Sequence, residues 1–190
     1  LGFVRDVFIA GALGATPVAE AFVLAFSLPN LFRRFFAEGA FNMAFVPMFS
    51  KKLASGDRPL VFASDAISML ALVLIVLNAT AMLAMPYLVW IMASGFVGDE
   101  RFDLTVLFGR IAFPYIIFIS LAALASGVLN SAGRFVAAAA APVLLNICFI
   151  AALFAADWAG WNVGLTLAWC VPVAGVAQFA FVWFAAHRAG

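Results

Sequence analysis

The sequence contains little charge. Only 10% of its residues are Asp, Glu, Lys or Arg, whereas 67% are hydrophobic and the mean hydropathy is +1.17. Soluble domains have about 25% charged and about 45–50% apolar residues, so this composition excludes a soluble domain. The net charge at pH 7 is only +1, and nothing in it indicates a surface that binds nucleic acid.

Histidine and cysteine are also scarce. The chain has one histidine, His187, and two cysteines, Cys148 and Cys170, which lie inside apolar runs without a second Cys or His at ligand spacing. Buried structural thiols are the simplest interpretation of the cysteines. We therefore expect no metal ion and no cofactor. The sequence also lacks the clustered Asp or His residues that an intramembrane enzyme would use for metal or acid–base chemistry.

Long apolar runs fill most of the chain. A transmembrane helix needs ~20 predominantly apolar residues, so 190 residues allow about six spans with short connections. The breakers and charges between the runs predict an all-α fold, a six-helix transmembrane bundle that forms one unit over residues 1–190. The predicted helices are 1–12, which is too short for a span and is expected to lack its start, 18–36, 65–93, 104–130, 136–156 and 162–186.

The connections between these helices carry their own signals. An apolar tail follows the second helix as far as Ser50, with a break predicted at Glu38 and Gly39. Residues 51–59 read as a polar loop, and Ser64 with Asp65 would then form the N-cap of the third helix. That helix is longer than a span requires, so we expect a bend after Pro86.

The basic residues fall into alternate connections. Short connections join antiparallel neighbours, so successive loops should lie on opposite faces of the membrane. One set of connections contains only Arg101 among acidic neighbours, and the positive-inside rule places the other set in the cytoplasm. That other set carries Lys51, Lys52, Arg58, Arg134 and Arg188.

Several charges fall inside the predicted spans. A charged side chain near the bilayer centre costs at least ~2.5–3.5 kcal/mol, so such a residue usually faces a partner or a water-filled cavity. Arg110 could snorkel to the surface or pair with the acidic loop at 99–103, and Glu20 could serve as a dipole partner at a helix start. Arg5 and Asp6 are harder to dismiss, because they lie within an apolar stretch of the first helix.

The end of the second helix holds a second polar group. Arg34 and Glu38 are four residues apart and could simply pair. Adjacent helical residues point about 100° apart, so Arg33 and Arg34 face different surroundings, and Asn30 is close enough to steady either guanidinium. If Arg5 and Arg33 both face inward, they form a cationic site. Guanidinium groups match phosphate oxygens, so an anionic lipid or a phosphorylated carrier is the natural ligand.

Four stretches of the sequence resemble one known family. They are LGFVRD at 1–6, AFVLAFSLPNLFRRFFAEGAFNMAFVPMFS at 21–50, FPYIIFISLAALASGVLNSAGRF at 113–135 and APVLLNI at 141–147. Together they resemble the MurJ/MviN family of the MOP exporter superfamily, and the core LPNLFRRFFAEGAF is the most specific of them. The resemblance implies two six-helix lobes around a central cavity, of which this chain is the N-terminal lobe and the C-lobe is missing.

The resemblance also implies a function and a site. Members of this family flip lipid II, the undecaprenyl-diphosphate-linked peptidoglycan precursor, from the cytoplasmic to the periplasmic leaflet by alternating access. It implies that the substrate-binding residues include the cavity arginines Arg5 and Arg33, with Asp6 beside Arg5. Glu20 stands where the family often has Asp. The remaining positions of the implied site are Asn30 and Glu38, from the LPN and AEGA motifs.

Other functions remain open on the sequence. A relative in the same superfamily could export another substrate, such as a lipid-linked polysaccharide or a drug, although inward arginines favour an anionic substrate. An intramembrane enzyme acting on polyprenyl phosphates is a second alternative, and a non-transporting scaffold is a third. We expect a transporter rather than an enzyme, multi-pass in the bacterial inner membrane. Its expected partners are lipid II, membrane lipids and the missing C-lobe.

Overall fold

The described part of the chain consists of helices and short connections and contains no strand. The structure is a computed structural model that describes residues 2–34 and 40–188. Four stretches of these residues are long and apolar enough to cross a membrane by length and composition, and the predicted all-α fold class is confirmed. They are Pro59–Leu83, Glu100–Ser131, Val136–Ala159 and Val163–His187.

The described residues form more helical segments than the six that the sequence predicted. Two of the predicted helices are each divided, and the tail after the second predicted helix is a helix of its own. A 3-10 turn at Ser94–Phe96 precedes the sixth segment. The helices are α1 Gly2–Leu13, α2 Pro17–Arg33, α3 Ala40–Ser55, α4 Pro59–Leu83, α5 Met85–Met92, α6 Glu100–Ala112, α7 Tyr115–Ser131, α8 Val136–Ala159 and α9 Val163–His187.

Proline explains both divisions. Pro86 is the second residue of α5, which begins directly after Ala84 leaves helical geometry at φ −83° and ψ 5°, and Pro114 stands between α6 and α7. A proline has no backbone N–H, so the carbonyl four residues earlier loses its helical partner. In lipid a neighbouring group must satisfy that carbonyl. The carbonyl that Pro86 frees belongs to Met82, and it accepts a hydrogen bond from Nε of Arg110 at 3.1 Å.

The predicted polar loop at 51–59 is wrong at both of its ends. The helix α3 continues to Ser55, and α4 already begins at Pro59. Ser64 and Asp65 therefore lie inside α4 and do not cap it. Proline is favourable at the first position of a helix because its missing N–H would be unpaired there anyway. The chain turns through Arg58, which adopts a left-handed conformation at φ +44°.

The two ends of the bundle differ in charge. Arg101 pairs with Glu20, which joins the beginnings of α2 and α6. At the other end, Oγ of Ser50 donates to Oγ of Ser131, which joins the ends of α3 and α7. We call the first the acidic end, with Glu20, Asp99, Glu100, Arg101 and Asp103, and the second the basic end, with Lys51, Lys52, Arg58, Arg134 and Arg188.

The helix α9 packs closely against its neighbours. A Cβ added at Gly175 would stand 2.7 Å from a ring carbon of Tyr115, so only glycine lets α9 lie this close to α7. The hydroxyl of Tyr115 donates to Oε1 of Gln178 at 3.3 Å, and Nε2 of Gln178 donates to the carbonyl of Ala141 at 2.9 Å. This hydrogen-bonded chain, the Tyr115–Gln178–Ala141 tie, joins α7, α9 and α8.

Candidate substrate cavity

A cavity of about 620 Å³ lies among α1, α2, α7 and α8. Its walls on α7 and α8 consist largely of small side chains that recur every three or four residues along one face of each helix. Small residues on facing helices leave space that larger side chains would fill. The small lining residues are Ala122, Ala123, Ser126 and Gly127 on α7, and Ala138, Ala141 and Pro142 on α8.

Polar side chains line the same cavity. Arg5 is the one charged residue among the described residues of the lining, and the others are amides and hydroxyls. The amide of Asn146 is held by its Nδ2, which donates to the carbonyl of Pro142 at 3.0 Å. Its Oδ1 is buried and has no hydrogen-bond partner within residues 2–34 and 40–188. The polar lining residues are Arg5, Asn30, Tyr115, Ser126, Asn130, Asn146 and Gln178.

Arg5 lies near the middle of the bundle. Its guanidinium carbon is 5.7 Å from the ring centroid of Phe149, which is close to the centre of the 24-residue helix α8. The guanidinium donates from Nε and Nη2 to Oδ1 of Asp6, at 2.9 and 2.7 Å. The Arg5 side chain is 18% exposed and the Asp6 side chain 62%. Both hydrogen bonds use one edge of the guanidinium, so its Nη1 side remains available to another acceptor.

A second cavity of about 440 Å³ adjoins the first. It lies between α1 and α2, and Arg5 and Phe26 line both cavities. Its other walls are mostly aliphatic and aromatic side chains, with Asp6 at the same end as Arg5. The guanidinium therefore stands where a polar space meets an apolar one, which is the arrangement that the head and the chain of a lipid require.

The structure brings some of the sequence-predicted site residues together. Arg5 and Asn30 line the same cavity, and Nδ2 of Asn30 donates to the carbonyl of Phe26 at 3.0 Å. The backbone of Arg33 closes α2 three residues after Asn30, but its side chain lies outside the described part of the structure. Glu38 also lies outside the described residues, and so does its suggested pairing with Arg34.

Glu20 lies at the acidic end, and the cavity lining does not include it. Its Oε2 accepts from Nη1 of Arg101 at 2.8 Å, and Arg101 also pairs with Asp99 at 2.6 Å. The side-chain hydrogen bond from Arg101, followed by the backbone N–H of Arg101, holds the pKa of Asp99 below its usual value. Arg101 further lies 4.6 Å from the ring centroid of Phe96. Glu20 therefore joins the beginning of α2 to the beginning of α6.

The sequence left two interpretations of Arg110 open, snorkelling to the surface or pairing with the acidic loop at 99–103, and the structure does not show the pairing. Arg101, not Arg110, pairs with that loop. Arg110 donates to the carbonyl of Met82, which Pro86 leaves without its helical partner. This contact gives Arg110 a structural task at the junction of α4, α5 and α6.

Sequence reasoning missed most of the uncharged polar lining. Gln178 is 1% exposed within an apolar helix, and a polar residue buried among apolar ones is a signal that the sequence offered. Asn146 falls within the APVLLNI run, which entered only through the family resemblance. Ser126 and Asn130 carry no charge and lie in a helix rich in small residues, so hydropathy alone does not distinguish them from packing residues.

Comparisons with known proteins agree on one family. A family model described as lipid II flippase MurJ matches residues 9–190. The probable lipid II flippase MurJ of Rhizobium tropici is 47% identical over 196 residues, which cover 100% of this chain and 37% of that protein. The lipid II flippase MurJ of Burkholderia cenocepacia is 46% identical over 182 residues, which cover 94% of this chain and 35% of that protein.

A solved structure gives the same result for the fold. The lipid II flippase MurJ in an inward closed conformation is similar with a TM-score of 0.78 at 27% sequence identity, over 99% of this chain and 39% of that chain. The chain thus spans somewhat more than a third of the length of the relatives that it matches, as 37% and 35% of the two curated proteins show. Its apolar helices and its relatives identify a multi-pass membrane protein. The chain belongs to the lipid II flippase MurJ family.

Proposed function

We propose that this chain is the N-terminal lobe of a flippase that moves lipid II from the cytoplasmic to the periplasmic leaflet of the bacterial inner membrane. The observation that carries the proposal is the position of Arg5, a cation beside the middle of a membrane-length helix and in the wall of a polar cavity. The relatives are named for lipid II, and the chemistry of Arg5 agrees with that substrate.

The energetic argument concerns the depth of the charge. A cation near the bilayer centre costs at least ~2.5–3.5 kcal/mol, and such residues generally serve a ligand, an ion or a partner. A guanidinium binds phosphate oxygens through two parallel hydrogen bonds, and these bonds are stronger when the site excludes water. The diphosphate of lipid II is an anion with several acceptor oxygens. In our proposal it lies against Arg5, with Asn30, Asp6 and Arg33 close to it.

The orientation of the cavity supports transport. The lining follows α7 from Tyr115 to Asn130, which is the second-last residue of that helix, so the cavity extends from the bundle middle to the basic end. The positive-inside rule places the basic end in the cytoplasm, where lipid II is made available. In alternating access, the missing C-lobe would form the facing wall and close the cavity towards one side at a time.

The alternatives have less support. An exporter of another lipid-linked anion would use the same arginine, and only the names of the relatives favour lipid II. An intramembrane enzyme on polyprenyl phosphates would want clustered acidic or histidine side chains. The described residues hold no group of three or more His, Cys, Asp or Glu that could bind a metal ion.

The test is complementation of lipid II flipping by the full-length protein in cells depleted of their own flippase. Arg5→Ala and Arg33→Ala should lose nearly all function, whereas Arg33→Lys should keep part of it, because lysine retains the charge but not the planar fork. Arg34→Ala is the matched control and should have a smaller effect. Membrane levels of each variant are measured alongside growth. Normal levels and normal growth of both Arg5→Ala and Arg33→Ala would overturn the proposal.

A further inference from the structure

Only one of the two polar atoms of the Asn146 side chain has a hydrogen-bond partner among the described residues. Its Nδ2 donates to the carbonyl of Pro142, and this bond fixes which way the amide points. Its Oδ1 is then left buried without a partner among the described residues, and Asn146 is one of the residues that line the cavity. An unpaired buried acceptor costs about 1–3 kcal/mol, and a group that enters the cavity and donates a hydrogen bond recovers that cost.

Asn146 lies next to Arg5. It is three residues, or about one turn, before Phe149, whose ring the Arg5 guanidinium covers at 5.7 Å. A Cβ added at Gly2 would stand 4.0 Å from Oδ1 of Asn146, so α1 passes close to this amide one turn before Arg5. The unpaired acceptor and the guanidinium thus occupy neighbouring positions along the contact of α1 and α8.

The wall of the cavity that α7 forms also carries polar side chains. Ser126 and Asn130 are four residues apart on α7, so they lie on one face of it, and both line the cavity. A hydroxyl and an amide each donate and accept hydrogen bonds. The part of the cavity between Arg5 and the basic end is therefore rich in uncharged groups of both kinds.

This set of groups selects a particular ligand chemistry. An ionised phosphate only accepts hydrogen bonds, so it can bind Arg5 but not Oδ1 of Asn146, where two acceptors would repel each other. An apolar chain would leave the amides unpaired, at a cost in free energy. The ligand that fits carries hydroxyl or amide N–H donors next to its phosphate, as a glycosylated lipid diphosphate does.

We infer that Asn146 on α8, with Ser126 and Asn130 on α7, forms a hydrogen-bonding subsite for the sugar that follows the phosphates of the carried lipid. This inference rests on the proposed function, because it takes the anion at Arg5 to be a lipid diphosphate. It adds that the cavity distinguishes a glycosylated lipid from the same lipid without its sugar, and that Asn146 is the residue that makes the distinction.

The experiment compares two lipids that share the undecaprenyl diphosphate group and differ in the attached sugar. Purified full-length protein is titrated with lipid II and, separately, with undecaprenyl diphosphate, and binding is followed by native mass spectrometry. Asn146→Leu keeps the approximate volume and removes the amide. The matched control is Asn78→Leu on α4, because Oδ1 of Asn78 is also buried without a partner among the described residues and lies outside the cavity lining. Arg5→Ala tests whether Arg5 binds the phosphates that the two lipids share.

Asn146→Leu should weaken lipid II binding by about three- to tenfold, the value of one hydrogen bond, and leave undecaprenyl diphosphate binding unchanged. Asn78→Leu should change neither. Ser126→Ala, which removes a single hydroxyl, should show the same selective loss and decides the matter if Asn146→Leu fails to fold. Equal weakening of both lipids, or of neither, would overturn the subsite while leaving the proposed function intact. If the unchanged protein binds neither lipid, or Arg5→Ala binds both normally, the proposed function fails and the subsite with it.

Discussion

The protein contains two ion pairs of similar geometry in very different places. Arg5 and Asp6 approach to 2.7 Å beside the middle of α8, and Arg101 and Glu20 approach to 2.8 Å at the acidic end. The pair at the end joins two helix beginnings where charged groups are tolerated at little cost. The central pair lies on one helix between adjacent residues, so the ion pair itself joins no two elements, and among the described residues Arg5 contacts another helix through the Phe149 ring.

The comparison shows that depth, rather than residue type, separates a structural charge from a functional one. A charge at a polar end is close to water and screened by it, whereas a charge at the bilayer centre is costly. A costly pair that connects no helices needs another explanation, and binding of an anion provides one. If this reasoning is correct, the two pairs should respond in opposite ways to the changes below.

The largest expected effect is a difference in thiol labelling between the two ends of the bundle, which shows on which side of the membrane each end lies. Ser55 and Ser94 are exposed residues at the basic and acidic ends, and each tolerates replacement by cysteine because serine is nearly isosteric. In a cysteine-free full-length protein in intact cells, Ser94→Cys should react fully with a membrane-impermeant thiol reagent and Ser55→Cys hardly at all. The reverse labelling would place the acidic end in the cytoplasm and invert the proposed topology.

The next largest effect concerns the removal of each pair as a whole. Arg5→Leu with Asp6→Leu should lower flipping roughly ten- to a hundredfold, because the phosphate loses its charge-assisted hydrogen bonds. The same variant should have an unchanged or higher thermal midpoint, since two costly charges are gone. Glu20→Gln with Arg101→Gln is the matched variant and should keep most of the activity. A central variant that unfolds more readily than the end variant would show that the central pair is structural.

A smaller effect is expected on stability from Arg101 alone. Arg101→Gln removes the hydrogen bonds to Glu20 and Asp99 and the contact with Phe96, so the thermal midpoint should fall by a few degrees in detergent. Arg58→Gln, at the basic end, has no such network among the described residues and provides the control. An Arg101→Gln midpoint equal to that of the control would show that the acidic end does not depend on this arginine.

The smallest effect should be a dependence on pH. The hydrogen bonds from Arg101 lower the pKa of Asp99, so its ionised form stabilises the folded state above the usual aspartate pKa, and this contribution disappears as the pH falls through the lowered value. Asp99→Asn keeps the oxygen that accepts from the backbone N–H of Arg101 but removes the charge. The unchanged protein should therefore be slightly more stable than Asp99→Asn at pH 7, and the difference should shrink as the pH falls below the usual aspartate pKa and through the lowered one. If the difference in stability persists at low pH, it arises from the shape of the side chain at position 99 rather than from its charge.

The apolar runs predicted the positions of the membrane helices well. They did not predict where the backbone interrupts a helix. The predicted helices 136–156 and 162–186 agree with α8 and α9 to within three residues, because Gly160 and Asn162 mark a turn between two long apolar runs. The predicted helices 65–93 and 104–130 are divided at prolines. Hydropathy sums side chains and carries no information on where a missing N–H interrupts the backbone. Hydropathy also did not show that α4 begins at Pro59 rather than at residue 65.

The sequence singled out charged residues inside the predicted helices and the polar residue beside them. Arg5 was expected to face inward and Asn30 to lie close to the arginines, and the structure places both in one cavity lining. Arg110 was ambiguous because its partner is a backbone carbonyl, and carbonyls freed by a distant proline are not visible as a sequence pattern. Asn146 went unnoticed because a single amide changes the hydropathy of an apolar helix very little. That any of the predicted site residues binds the substrate remains a prediction, and the side chains of Arg33 and Glu38 lie outside the described part of the structure.

The Tyr115–Gln178–Ala141 tie has a mechanical consequence. It fastens three helices to one another near the cavity by buried hydrogen bonds, which are costly to break away from water. The side of the cavity formed by α7, α8 and α9 is therefore its rigid part. The helix α1 lies against α8 but has a single buried residue, Leu13, and takes no part in the tie. When the whole protein changes the width of this space, we expect α1 to move relative to the rigid part, so a small molecule that fixes α1 in one position should stop the proposed transport.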